Sequence, residues 1–148
     1  MKYLSGLLCF LLLFSGVALA QEGEEGDQQK EKNDIRVSRL STMENDGDKF
    51  EREKNWDKAI ETYILIIKEL RDEKTPDLFE NREEYEEKMR GALFKLGYSL
   101  LEGAILSSGE DRTKKLGRAK ERLRQVLLRN AEQGEAYYYM AKLNAIYH

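Results

Sequence analysis

The side chains best suited to catalysis or metal binding are scarce in this 148-residue sequence. Its single histidine, His148, is the last residue, and its single cysteine, Cys9, lies inside an apolar run near the N-terminus. Zinc sites need several Cys or His ligands, and a nucleophile–histidine pair needs a histidine held in place. The sequence therefore predicts no catalytic residue, no metal site and no cofactor.

Acidic residues are the remaining source of chemistry. Four glutamates fall within residues 83–87, among basic neighbours. At helical spacing they spread around a solvated polar face and do not converge on a site. Gly91, Gly97 and Gly103 form no phosphate-binding loop, because they lie six apart within one predicted helix. We therefore expect a protein that is not an enzyme, and a hydrolase that uses carboxylates alone is the weakest alternative.

The elements that carry these residues are predicted to be helices throughout. Strong helix formers dominate from Ile35 onward, where Pro76 is the only proline, and apolar residues recur at steps of three and four. Asp77 is the predicted N-cap of the third helix, and Asp111 or Thr113 that of the fourth. The predicted helices cover about residues 35–53, 56 to just before 75, 77–106, from 111 or 113 to 129, and 135–148. Their short connections favour antiparallel hairpins in an all-α fold.

An internal repeat runs through these helices. Its members are Gly47, Phe50, Ala59 and Tyr63, then Gly97, Leu100, Ala119 and Leu123, and then Tyr137, Met140, Ala141 and Asn144. A small residue on the first helix of each hairpin lets the second helix approach closely. Ala59 and Ala119 are expected opposite that small residue, with the larger side chains filling the space between hairpins.

This pattern resembles the tetratricopeptide repeat, whose 34-residue unit reads W-x2-L-G-x2-Y…A-x3-F…P. The repeats cover about residues 40–73 and 90–131, with a half-repeat at 134–147. The second carries ten extra residues between its glycine and alanine, which lengthen either the helices or the loop. The closing proline is replaced by Arg71 and Ala131. The resemblance implies a short α-solenoid of about five helices, and a generic helical bundle is the alternative.

The resemblance also implies a binding surface. In that family the first helix of each hairpin lines a concave groove that holds partner peptides. The corresponding positions are Glu44, Asp48 and Glu51, then Phe94, Tyr98 and Leu101, then Tyr138, Lys142 and Ala145. Acids replace the Lys and Asn that clamp a C-terminal carboxylate in some members. We expect a partner segment with an apolar anchor and a basic flank. The alternative is that Phe94 and Leu101 belong to the core.

The last predicted helix has almost no polar face. Tyr137, Met140, Ala141 and Asn144 are predicted to face the preceding hairpin, which leaves further apolar side chains for a partner or a second copy. The predicted partner-binding residues are Phe94, Tyr98, Leu101, Tyr138, Tyr139, Lys142 and Ile146.

The first twenty residues have the features of a signal peptide. Lys2 precedes an apolar run, and Ala18-Leu19-Ala20 offers a cleavage site before Gln21. An uncleaved membrane anchor and lipidation of Cys9 are the alternatives. Cleavage predicts a periplasmic or secreted protein that is not inserted in the membrane.

Charge is concentrated just after this segment. Residues 21–34 carry six acids, two lysines and no apolar side chain, and so predict a disordered acidic leader. The domain at 35–148 has no net charge, which argues against nucleic acid or an anionic membrane as partner. The resulting hypothesis is an exported adaptor that binds a protein or peptide. The alternative is a purely structural subunit of an envelope complex or a homo-oligomer.

Overall fold

In a computed structural model, five α-helices form the regular structure of the described residues, and no strand occurs among them. The structure describes residues 5–72, 75, 78–79 and 81–147, and only the backbone of residues 5–27 and 29. The helices are α1 Ser5–Arg52, α2 Trp56–Leu70, α3 Arg82–Leu106, α4 Gly109–Arg129 and α5 Gly134–Tyr147. The predicted all-α fold of about five packed helices is confirmed.

The chain divides into two compact units, Met1–Ser38 and Arg39–His148. In the first unit the backbone is helical from Ser5, so residues 21–34, for which the sequence predicts a disordered leader, lie within α1. Glu, Gln and Lys favour helix even where no apolar surface is available to bury. Residues 1–4 of the predicted signal peptide lie outside the described residues. Over the part of the chain that is described, no helix is long and apolar enough to cross a membrane.

The second unit begins with the hairpin of α1 and α2. The N–H groups of Lys54 and Asn55 donate to the carbonyls of Glu51 and Phe50, at 2.9 and 2.8 Å, and so close the end of α1. Asn55 then caps α2 by accepting from the Lys58 N–H. The apolar spacing of α2 buries one face, made of Ala59, Ile60, Tyr63, Ile66, Ile67 and Leu70.

The second hairpin, α3 and α4, starts at different residues from those predicted. Asn81 caps α3 by accepting from the Glu84 N–H at 2.9 Å, and Asp77 lies outside the described residues. Helix α4 begins at Gly109, with Ser108 as its N-cap, and not at Asp111 or Thr113. Gly109 has φ of 58°, a conformation that glycine adopts without steric cost, so the chain turns earlier than its polar side chains indicate.

The ten extra residues of the second hairpin lengthen its helices. Helix α3 continues four residues further past Gly97 than α1 does past Gly47, and α4 has seven more residues before Ala119 than α2 has before Ala59. The connecting turn is one residue shorter.

Both hairpins cross in the same register. A Cβ atom on Gly47 would lie 2.7 Å from Tyr63 Cε1, and one on Gly97 would lie 3.0 Å from Leu123 Cγ. The repeat therefore places equivalent residues at both crossings. Ala59 and Ala119 are fully buried, as expected, but the glycines contact the side chain one turn later. This shift follows from side chains in a helix leaning toward its N-terminus.

Candidate protein-binding surface

Helices α1 and α3 lie side by side within the second unit. Lys88 Nζ on α3 donates to both carboxylate oxygens of Glu44 on α1, at 2.8 and 3.0 Å. One to two turns further along, Lys95 pairs with Asp48. Ser99 Oγ also donates to Glu51 at 3.0 Å, so three side-chain pairs connect α1 and α3.

Helix α5 lies on the other side of α3. The ring centroid of Tyr139 is 5.7 Å from that of Phe94 and 5.1 Å from that of Tyr98, both in edge-to-face geometry. Lys142 Nζ donates to Glu102 Oε1 at 2.5 Å. The first helices α1, α3 and α5 therefore form one continuous surface from Arg39 onward, which we call the first-helix face.

The α1 part of this face is not the open acidic region that the sequence predicts. Glu44 and Asp48 are each paired with a lysine from α3. Burial acts to raise the pKa of Asp48, but hydrogen bonds from Lys95 and Tyr63 outweigh it, so the pKa lies below its usual value. Burial raises the pKa of Glu51 although Ser99 donates to it. These paired acids offer little to a basic flank of a partner.

The α3–α5 part of the face is an aromatic cluster. Trp56 packs edge-to-face on Tyr98 with centroids 5.7 Å apart, and Tyr138 packs on Tyr139 at 5.1 Å. Tyr138 is 64% exposed, whereas Tyr98 and Tyr139 are half-buried. We call Trp56, Phe94, Tyr98, Tyr138 and Tyr139 the aromatic cluster.

The cluster can offer both apolar contact and hydrogen bonds. Burial raises the pKa of Tyr98 and of Tyr139, so both phenols are protonated at neutral pH and can donate. Lys142 Nζ lies 5.9 Å from the Tyr139 ring centroid, and the hydrogen bond that Lys142 donates to Glu102 raises the pKa of this lysine. Such a surface suits stacking with an apolar or aromatic side chain.

Five of the seven predicted partner-binding residues meet in one place. These are Phe94, Tyr98, Tyr138, Tyr139 and Lys142. Leu101 is fully buried, because α2 and α4 cover this part of α3, so the alternative assignment of Leu101 to the core is correct. Ile146 is half-buried against the core and offers little free surface.

Three residues of this surface were not identified from the sequence. Trp56 belongs to α2, yet it completes the aromatic cluster from the start of that helix. Lys88 and Lys95 neutralise the acids of α1. Lys88 and Lys95 lie seven residues apart and so on the same side of α3, which is the signal in the sequence that both could face one neighbouring helix.

Helix α5 uses a different packing face from the one predicted. Ala136 and Leu143 are fully buried, Tyr139 and Ile146 are partly buried against the core, and Met140 is half-buried. Tyr137, Ala141 and Asn144 are exposed, so their assignment to the preceding hairpin is wrong. For α5, the prediction placed the small residue Ala141 against the preceding hairpin. In α1 and α3, the small residues Gly47 and Gly97 instead face the helix that follows.

Charged residues also line a cavity of about 500 Å³ between α1, α2 and α3. Its walls include Glu44, Asp48, Lys88 and Lys95, which are engaged with one another. Within the described part of the chain, no group of three or more His, Cys, Asp or Glu is arranged to hold a metal ion.

Fold and site together define an all-α protein in which helical hairpins pack in a repeat-like manner and helices α3 and α5 share an aromatic surface. Comparisons of the chain with protein-family profiles, with curated proteins and with solved structures found no match.

Proposed function

We propose that this protein is an exported adaptor, similar to tetratricopeptide repeat proteins, which binds a protein segment on the first-helix face and has no enzymatic activity. The observation that carries the proposal is the aromatic cluster, where Tyr138 is exposed beside half-buried Tyr98 and Tyr139. Clustered tyrosines with one apolar face and a polar tip are typical of protein interfaces.

The paired charges define the partner's chemistry. Because Glu44 and Asp48 are neutralised within the chain, an apolar or aromatic anchor supplies most of the binding energy. Burying one or two such side chains contributes roughly 1.5–3 kcal/mol each before the costs of association. We therefore expect a weak, transient interaction, in which the tyrosine hydroxyls set the orientation of the partner.

Export and the absence of catalysis rest on the sequence. Residues 1–20 have the pattern of a cleaved signal peptide, and Cys9 and His148 provide no usable nucleophile or base. N-terminal sequencing of protein recovered outside the cytoplasm should start at Gln21. Recovery of protein that begins at Met1, or that carries a lipid at Cys9, would contradict this part of the proposal.

The binding surface can be tested by site-specific photo-crosslinking in the cells that make the protein. A photo-reactive phenylalanine replaces Tyr138 in one variant and Leu65 in a matched control. Leu65 is 53% exposed on α2, outside the first-helix face. We expect a defined protein adduct from position 138 and none of the same mass from position 65.

A second substitution then connects the adduct to the cluster. Tyr98→Ala in the position-138 variant removes the ring on which Tyr139 packs, and should lower the adduct yield about tenfold. An adduct that forms equally from both positions, or that persists unchanged in Tyr98→Ala, would exclude the first-helix face. Adducts made only of this chain would favour a homo-oligomer.

A further inference from the structure

The two hairpins show what covers the small residue of each repeat. On α1, Gly47 is covered by Tyr63 of the next helix, and on α3, Gly97 is covered by Leu123 of the next helix. The sequence repeat assigns Ala141 on α5 to the same position. Ala141 is exposed, and within the described residues no helix covers it.

An independent contact supports this register. Gly103 lies six residues after Gly97, and a Cβ there would be 3.6 Å from Ile60 Cδ1 on α2. Tyr147 lies six residues after Ala141, and its ring centroid is 5.9 Å from Lys120 Nζ on α4. Ile60 and Lys120 each follow the repeat alanine by one residue. Helix α5 therefore packs on α4 as α3 packs on α2.

The residues beside Ala141 form an open, uncharged surface. Leu93 and Leu100, which flank Gly97 on α3, are 1% and 0% exposed. Their equivalents on α5 are Tyr137, which is 52% exposed, and Asn144, which is also exposed. Leu128, in the last turn of α4 before the chain turns into α5, is 77% exposed.

The α4 edge of this surface is basic. Lys120 and Arg124 are exposed one turn apart on α4. Neither forms an ion pair with any residue that the structure describes. Between α2 and α4, by contrast, Lys115 pairs with Asp57 at 3.0 Å. An ion pair thus joins these two helices, and a helix that packs beside α4 could pair with Lys120 and Arg124 in the same way.

We propose that the surface formed by Tyr137, Ala141 and Asn144 of α5 and the adjoining edge of α4 binds an amphipathic α-helix of a partner protein. The helix places a bulky apolar residue on Ala141 and acidic residues along the edge that faces Lys120 and Arg124. A second copy of this chain fits less well, because a symmetric interface would contain Lys120 and Arg124 twice, and Tyr137, Ala141 and Asn144 carry no acid to compensate them. This surface is separate from the first-helix face and does not depend on it.

The test uses two synthetic helical peptides of about 18 residues, long enough to form several turns. Both carry leucine along one stripe, and the remaining positions are mainly glutamate in one and mainly lysine in the other. Fluorescence anisotropy with the full chain should give at least about tenfold tighter binding of the glutamate peptide at low salt, with the difference shrinking as salt is added. Arg124→Glu should remove or reverse the preference.

Two further variants locate the site. Ala141→Glu places a carboxylate where the leucine stripe of the peptide would lie, repels its glutamates and should weaken binding of the glutamate peptide at least tenfold while circular dichroism stays helical. Tyr137→Ala should weaken binding less. Tyr98→Ala, which tests the first-helix face, should leave peptide binding unchanged, so the two proposals fail separately.

Several results would overturn the inference. These are equal affinity for the two peptides, absence of binding by folded protein, and normal binding of the glutamate peptide by Ala141→Glu. A dimer in sedimentation experiments that Ala141→Glu dissociates would also overturn it, because the occupant would then be a second copy.

Discussion

Helices α3 and α5 carry the same repeat positions but differ in what covers them. On α3, Leu93, Gly97 and Leu100 are buried under α4. On α5, Tyr137, Ala141 and Asn144 occupy the same positions and are exposed. The repeat pattern therefore fixes the register of a helix, whereas the presence of a following helix decides whether its face belongs to the core or to the surface.

The contrast has a physical basis in the two sides of α5. Its other side, with Ala136 and Leu143, is fully buried, so α5 is docked without using its repeat face. A helix needs an apolar stripe over only part of its circumference to dock. On α5, Tyr137 and Tyr138 lie outside that stripe and are exposed.

The largest expected effect on stability comes from placing charges on the partly buried side of α5, compared with its exposed side. Tyr139→Glu with Ile146→Glu places two carboxylates on the partly buried side and should destabilise the second unit by about 3 kcal/mol or more. The sequence alone assigned these two residues to a contact surface and predicted no such loss. Urea unfolding followed by circular dichroism measures the difference.

The matched control is Tyr137→Glu with Tyr138→Glu, because these side chains are 52% and 64% exposed. The urea concentration at the midpoint of its unfolding should stay close to that of the parent protein. Equal destabilisation by both double variants would show that α5 is covered on all sides, and the contrast with α3 would disappear.

A leucine at the small residue of each repeat gives the next largest effect. Gly97→Leu should cost about 1–3 kcal/mol, since even a Cβ there would approach Leu123 Cγ to 3.0 Å. Ala141→Leu should change stability by no more than about 0.5 kcal/mol, as is usual for exposed positions. Thermal melts of the two variants provide the measurement. A Gly97→Leu protein as stable as the parent would show that α3 and α4 do not cross closely at Gly97.

A substitution at Gly91 separates the effect of steric crowding at a helix crossing from the effect of replacing a glycine. It lies on the exposed side of α3, and a Cβ there would meet nothing within 4 Å. Gly91→Ala should therefore stabilise the protein by about 0.5–1 kcal/mol through helix propensity alone. If the same melts show a loss, the side of α3 that bears Gly91 is not open.

The smallest effect concerns a partly buried acid on α1. Burial raises the pKa of Glu51 in the folded state, so its ionised form opposes folding above that pKa, and the penalty vanishes below the unfolded value of about 4.3. Glu51→Gln should raise the melting temperature slightly at pH 7 and leave it unchanged near pH 3.5. Asp48→Asn should lower the melting temperature at pH 7, because hydrogen bonds depress the pKa of Asp48. A gain for Glu51→Gln that persists at low pH would exclude this cause.

Much of the fold followed from local patterns. The apolar spacing of residues 56–70 and the Lys54-Asn55 turn determine α2 and its start, because both depend on neighbours in the chain. The N-caps at Asn81 and Ser108 were missed, since several polar residues near each start could serve. Which of these polar residues becomes the N-cap depends on where the folded backbone starts each helix.

The candidate site was predictable in part for a similar reason. The aromatic residues Phe94 and Tyr98 could be placed on α3 from helical spacing, and the structure puts them against Tyr139. Leu101 could not be assigned, because its burial depends on α2 and α4 reaching the end of α3. Pairing of the acids on α1 with lysines of α3 likewise depends on tertiary contact.

Cysteine accessibility tests the contrast between α3 and α5 most directly. In a Cys9→Ser background, Asn144→Cys and its equivalent Leu100→Cys are reacted with a maleimide at low protein concentration. The exposed Asn144→Cys should react nearly as fast as in denatured protein, and Leu100→Cys, whose parent side chain is 0% exposed, should react at least about a hundredfold more slowly. Comparable protection at both positions would contradict the account, because the outer face of α5 would then be covered in the isolated chain.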